Sequence, residues 1–310
     1  MPALLRRILL APLPRLVWTF ILAQALFRLL RLVSPSTAKL PNVTFGGSLR
    51  NALLTLLVFV LSLWLLERKR PREAGLGLAR AVPDTLRGFV LGAALLSSVV
   101  GALALAGSYR IIGWAPVPAG TTRALLFGQM VFLLLCVGVF EELASRGILF
   151  RLLEQGLGTW LAVIISGGLF GVGHLNNPGA TWVSSLSIAV GAGALLAAAY
   201  VVTRSLWVPI GLHWAWNLFE GPVWGTPVSG LATPVLAAAR LPGPVALTGG
   251  AFGPEAGLPS IVLATALAIA FFAVAARRNQ IVTPAWMWWI AGKLRPAPEP
   301  VAPAPVSTPV

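Results

Sequence analysis

Charge is what this sequence has least of. Asp, Glu, Lys and Arg make up 10% of its 310 residues and hydrophobic residues 57%, whereas a soluble globular domain carries about 25% charged residues. An ordinary water-soluble fold is thereby excluded, and the solvent for most of the chain is lipid. Acidic residues are scarcer still, nine against 23 Lys and Arg, for a net charge of +14. In a soluble protein that excess would point to nucleic acid. Here the basic residues lie mostly in short segments between apolar runs, the pattern of membrane topology, so no nucleic-acid partner is expected. The single cysteine, Cys136, excludes an internal disulfide, and its place inside an apolar run marks it as a small packing group. Histidine occurs twice, as His174 and His213.

What is abundant is apolar sequence in helix-length runs. A helix needs about 20 residues to cross the roughly 30 Å hydrocarbon layer, and somewhat fewer when its flanking side chains snorkel. Runs at 16–33, 52–66, 88–107, 123–147, 159–174, 183–203, 209–219 and 258–276 predict an all-α, polytopic bundle of about eight transmembrane helices in a lipid bilayer. The second run is short; the seventh is shorter still, but Trp207, Trp214 and Trp216 extend its apolar character. Arg6 and Arg7, the apolar stretch 16–22 and the triplet Ala23-Gln24-Ala25 imitate a signal peptide. Arg28 and Arg31 follow and the run resumes, so this segment reads as a first membrane helix.

Basic residues accumulate on the cytoplasmic side because they resist translocation. With the densest cluster (Arg68, Lys69, Arg70, Arg72, Arg80 and Arg87) placed inside, alternation leaves sixteen of the 23 basic residues inside and seven outside. Both termini are then cytoplasmic. Three parts follow: residues 1–87, with N-terminal helices and a basic loop; 88–276, a membrane core; and 277–310, where Trp286, Trp288 and Trp289 suit a headgroup-level segment before a Pro/Ala-rich tail. The outer stretch 221–257, rich in Gly and Pro, reads as either a functional cap or a loosely ordered segment, its end at 248–255 a chain of turns. Gly88 with Gly92, and Gly191 with Gly193, read as close-packing sites.

Polar groups inside a membrane are costly and mark function by default. Glu141, Glu142, His174 and His213 all sit in or beside apolar helices. Glu142 lies one turn before Arg146, the preferred order for an i,i+4 ion pair, which leaves Glu141 as the unpaired carboxylate. Phe170 and His174, and His213 and Asn217, are likewise one turn apart. If the fourth and fifth helices turn at Gly156-Leu157-Gly158, Glu141 and His174 both stand roughly 25 Å from that turn, while His213 is roughly 12 Å from an inner turn at Arg204-Ser205. The four polar residues converge if the first hairpin protrudes about 10 Å, in keeping with its Arg146, Arg151 and Glu154. Glu220, one turn beyond Asn217, falls near the outer boundary and is expected to meet water; Asn176 and Asn177, before Pro178, are expected to end the fifth helix.

The motifs Glu141-Glu142-x-x-x-Arg146, Phe170-x-x-x-His174 and His213-x-x-x-Asn217 resemble the three signatures of the CPBP family, which comprises the Ras-converting type of CAAX prenyl protease and its bacterial relatives. Residues 248–257 also look like a segment of bacterial members. The resemblance implies an intramembrane endopeptidase in which Glu141 and His174 activate water and His213 and Asn217 hold the oxyanion, with Glu142, Arg146 and Phe170 in support. It also implies a membrane-associated protein or peptide substrate, in the eukaryotic members a prenylated CAAX peptide, and a multi-pass protein of a bacterial inner membrane.

The residue types suit that chemistry. Peptide hydrolysis needs a base beside the attacking water and donors where the carbonyl oxygen becomes negative. A carboxylate in an apolar site supplies the first, and an imidazole with a carboxamide the second. Metal dependence stays open: zinc on Glu141, His174 and His213 would use two His and one Glu, but would consume the obvious base, and no His-Glu-x-x-His motif is present. Metal-free glutamate catalysis is the preferred reading, zinc the alternative. The competing class of function is a membrane interaction or immunity-type protein that keeps the bundle without turnover.

Overall fold

A computed structural model describes residues 11–38, 44–233 and 235–284. The sequence expectations for Arg6, Arg7, Lys39, the tryptophans at 286, 288 and 289 and the Pro/Ala tail lie outside these. The fold is an all-α bundle whose principal helices are, in order, α1 (Pro12–Val33), α2 (Phe45–Glu67), α3 (Leu78–Leu105), α4 (Arg123–Leu157), α5 (Thr159–Gly173), α6 (Trp182–Thr203), α7 (Trp207–Leu218) and α8 (Leu258–Arg277). All eight apolar runs form helices. Six are long and apolar enough to cross a membrane; α5, with 15 residues, and α7, with 12, fall short, rising about 22 and 18 Å. The chain is a polytopic integral membrane protein; His174 caps the C-terminus of α5 and His213 lies within α7, which continues as a wider segment to Val223.

Helix α4 is the longest. Its 35 residues rise about 52 Å, some 20 Å more than the hydrocarbon layer requires. The projecting end is held by buried ion pairs: Arg151 donates two hydrogen bonds of 2.6 Å to the Glu67 carboxylate of α2, and Arg204 meets Glu154 at 2.5 Å. The chain then reverses at Gly158, whose φ of 79° an L side chain rarely adopts, and α5 begins. This is the turn the glycines at 156 and 158 predict.

Glycine also sets the closest helix contact. A Cβ on Gly88 or Gly92 of α3 would lie 2.1 Å from the Val208 carbonyl oxygen or 2.3 Å from that of Leu212 on α7. The two backbones therefore touch, as small residues permit in membranes. This contact fixes the depth and rotation of α7, hence of His213. On the other side, Gly193 of α6 would place a Cβ 2.9 Å from Gly167 Cα of α5. Phe59, Leu63, Phe150, Leu195, Leu206 and Ile210 are among the side chains filling the space between.

Four described segments wind more widely than an α-helix, Leu63–Glu67 at the end of α2, Leu143–Phe150 in α4, Ala189–Gly193 in α6 and Phe219–Val223 after α7. Such π segments re-aim side chains and gather at functional sites. The stretch 221–257 is an ordered cap: β2 (Ala237–Arg240) pairs antiparallel with β1 (Arg110–Trp114), Arg110 opposite Arg240, and the Tyr109 hydroxyl donates to the Trp224 carbonyl at 2.8 Å.

Candidate active site

Glu141 and Glu142 end the regular part of α4, just before its wide segment. The spacing of Glu142 and Arg146 yields the expected pair, with Arg146 Nη1 donating to Glu142 Oε1 at 2.9 Å and both side chains buried. Arg146 also donates through Nη2 to the carbonyls of Ala192, at 3.3 Å, and Gly193, at 3.1 Å. These acceptors lie in the wide segment of α6, where a loosened ladder leaves carbonyls available. The guanidinium lies over the Phe170 ring, 4.6 Å from its centroid, so the cation is held by a carboxylate, two carbonyls and an aromatic face.

Glu142 does a second thing. The same Oε1 lies 2.8 Å from His213 Nδ1; since a carboxylate accepts, Nδ1 carries the proton and Nε2 is left for other use. Nε2 lies 3.9 Å from Glu141 Oε2, an oxygen that is buried with no hydrogen-bond partner among the described residues. His174 is held in a parallel way. Its Nδ1 is 2.8 Å from the Phe170 carbonyl oxygen, which can only accept, so its Nε2 too is left uncommitted. The Phe170 ring separates the pair, with centroids 4.8 Å from His174 and 6.2 Å from His213.

Glu141, Phe170, His174, His213 and Asn217 line one cavity of about 400 Å³. Of the four polar residues expected to converge, Glu141, His174 and His213 line this space, with Asn217 beside them, while Glu142 is buried against His213 and Arg146. The remaining wall is largely apolar, from Leu133, Leu134 and Val137 of α4, Leu169 of α5, Ile188, Leu195 and Leu196 of α6, and Leu212 and Trp216 of α7; Ser48 and Asn51 of α2 add polar points.

Two further carboxyls stand here that the sequence did not place. Glu220, expected to meet water, is fully buried: the wide turn after α7 carries it inward, under the cap, where Trp216 Nε1 donates to its Oε2 at 3.1 Å. Glu255 reaches the cavity wall from the cap, together with Ser229. Its signal was faint, one acidic residue in a run of Gly and Pro turns.

A zinc site would need three ligands around one point. Among the described residues no group of three or more His, Cys, Asp or Glu side chains is placed to hold a metal ion. The Nδ1 atoms of His174 and His213 are engaged by Phe170 and Glu142, which leaves Nε2 as the uncommitted nitrogen of each ring.

No curated protein and no solved structure matches the chain. One family model does, described as type II CAAX prenyl endopeptidase Rce1-like, over residues 123–219. The matched segment runs from the start of α4 to just past Asn217 and contains all three motifs. It also supplies most of the side chains that line the cavity, and over that segment the chain is similar to the type II CAAX prenyl endopeptidases.

Proposed function

We propose that the chain is an intramembrane endopeptidase that hydrolyses a peptide bond of a membrane-associated protein or peptide, and that CAAX-type prenylated C-termini are within its substrate class. One observation carries the reading: a carboxylate with a buried oxygen that accepts no hydrogen bond among the described residues, two histidines with anchored Nδ1 atoms and a carboxamide line one cavity inside an apolar bundle. A scaffold has no use for that set, since each polar group in lipid raises the free energy of the fold.

In this mechanism Glu141 and His174 share the proton of an attacking water, whose oxygen adds to the scissile carbonyl. The carbonyl oxygen takes the negative charge and receives hydrogen bonds from the Asn217 amide and from His213 in its Nε2-protonated form. Glu142 holds the His213 ring by Nδ1 and is itself balanced by Arg146. Collapse of the intermediate breaks the C–N bond. The proton taken from water passes to the leaving amine, leaving a carboxylic acid and an amine. The apolar wall excludes bulk water and strengthens each of these interactions. No step passes through a metal. The charge distribution supports cytoplasmic termini, and a bacterial inner membrane is the proposed setting.

Membrane proteomes of cells carrying wild-type protein or Glu141→Ala should differ by a cleaved product present only with the wild type. With that substrate purified, Glu141→Gln should lower turnover by about 10²–10⁴-fold, the usual loss for a general base. Well-folded Glu141→Gln protein cleaving at near the wild-type rate would refute the enzyme reading and leave the scaffold in its place.

A further inference from the structure

Glu220 and Glu255 are not used by the mechanism above, and they belong to one construction. Glu220 Oε1 accepts the Glu255 backbone N–H at 3.3 Å, and the Glu220 carbonyl accepts both the N–H of Thr226, at 3.0 Å, and its hydroxyl, at 2.7 Å. The turn before α8 is tied again where Ser260 Oγ donates to the Pro254 carbonyl at 2.7 Å and Gly230 N–H to that of Phe252 at 2.6 Å. A Cβ on Gly253, at φ 117°, would lie 2.2 Å from the Pro227 carbonyl oxygen. Fixed by these bonds, the Glu255 side chain opens on the cavity while its Oε1 accepts the Ser229 hydroxyl at 2.5 Å.

The two histidines differ in their supports. His213 has the Glu142 carboxylate on Nδ1, whereas His174 has only the neutral Phe170 carbonyl there. The titratable side chains that line the cavity with His174 are Glu141 of α4, His213 of α7 and Glu255 of the cap, and Arg146 lies over the Phe170 ring. Burial holds the Glu255 carboxyl above the ordinary carboxylate range, and its bonds from Ser229 and attraction by His174 and then His213 offset only part of that.

We propose that Glu255 is the positioning residue of His174, a carboxylate presented by the cap that stabilises the imidazolium formed when His174 takes up the proton of the attacking water. Each histidine then works against its own carboxylate, Glu142 for His213 and Glu255 for His174. Glu220 is the buried bracket that holds the second carboxylate in place. The inference rests on the peptidase reading and extends its site beyond the segment matched by the family model.

Purified wild type, Glu141→Gln, Glu255→Gln and Glu255→Asp are compared on the substrate from the proteomic screen, with thermal unfolding recorded for each. Glu255→Gln keeps the volume and an acceptor for Ser229 and removes the charge; Glu255→Asp keeps the charge. Expected is a fall in kcat of about 10–100-fold for Glu255→Gln at unchanged KM and unfolding temperature, with part of the loss recovered in Glu255→Asp. Full kcat in Glu255→Gln, a rise in KM alone, or equal losses in the Gln and Asp variants would each overturn the proposal. Cleavage by wild type and none by Glu141→Gln keeps the peptidase reading whatever Glu255 does. No cleavage by wild type ends both.

Discussion

Replacing Glu142 with Gln tests whether the ion pair beneath the site is structural, catalytic or both. Gln is isosteric and offers His213 Nδ1 an oxygen to donate to, but it no longer balances Arg146, which is 2% exposed. Stranding a buried charge by removing its partner costs about 3–5 kcal/mol. Arg146 would keep the carbonyls of Ala192 and Gly193 and the face of Phe170, which puts the expected loss near the lower end, about 3 kcal/mol. Solvent screening relieves little of this, because Glu142 is fully buried.

A second variant separates the roles. In Glu142→Leu with Arg146→Met both charges are gone and the volumes are kept, and such exchanges are often neutral for stability. Equilibrium unfolding in mixed micelles should therefore show the double variant recovering most of what Glu142→Gln loses. Turnover should not recover, because His213 Nδ1 has lost its acceptor and the ring is free to turn away from the cavity. Glu142→Gln protein within about 1 kcal/mol of wild type would show that Arg146 does not depend on the carboxylate. A double variant with near wild-type turnover would show that Glu142 does not orient His213.

Asn217→Ala removes the proposed oxyanion donor from the cavity wall and should lower kcat by about 10²–10³-fold while unfolding is unchanged; a loss confined to KM would make Asn217 a binding group instead. Proteolysis should survive thorough chelation, and activity abolished by a chelator and restored by stoichiometric zinc would refute the metal-free mechanism. Reporter fusions after Ala38 and after Gly230 should both read as non-cytoplasmic, and a cytoplasmic signal at Gly230 would overturn the proposed orientation.

Much of the site was legible because membranes make polar residues conspicuous. Glu141, Glu142, His174 and His213 stand out against apolar runs, and helical spacing alone pairs Glu142 with Arg146, a contact the structure contains at 2.9 Å. The motif Phe170-x-x-x-His174 was readable as a pair one turn apart, yet its geometry was not. Phe170 serves through its carbonyl on His174 and through its ring on Arg146 and both histidines, and a spacing argument sees only the side chain. The wide segments in α4, α6 and after α7 were also hidden, because a π segment depends on packing and has no sequence period of its own.

Glu220 and Glu255 show where reading by depth fails. Counting residues from a turn places a group along the membrane normal, and by that count Glu220 belongs to the boundary and should be wet. Burial, however, depends on what lies above the helix end. The stretch 221–257 folds over the end of α7, pairs with β1 and encloses Glu220 completely. That cap is built from glycine turns and single bridging bonds, Gly249, Gly250 and Gly253 all at positive φ, and such turns carry no period from which to infer a partner. The same turns press Glu255 against the cavity. A carboxyl 38 residues beyond Asn217 in sequence thus comes to share a wall with it, and nothing in local composition distinguishes that outcome from an acidic residue in a solvated loop. What sequence does offer is the scarcity of acid: with nine Asp and Glu in the chain, an acidic residue set among turns that carry no other charge stands out, and its place against the cavity is the physical reason to test it.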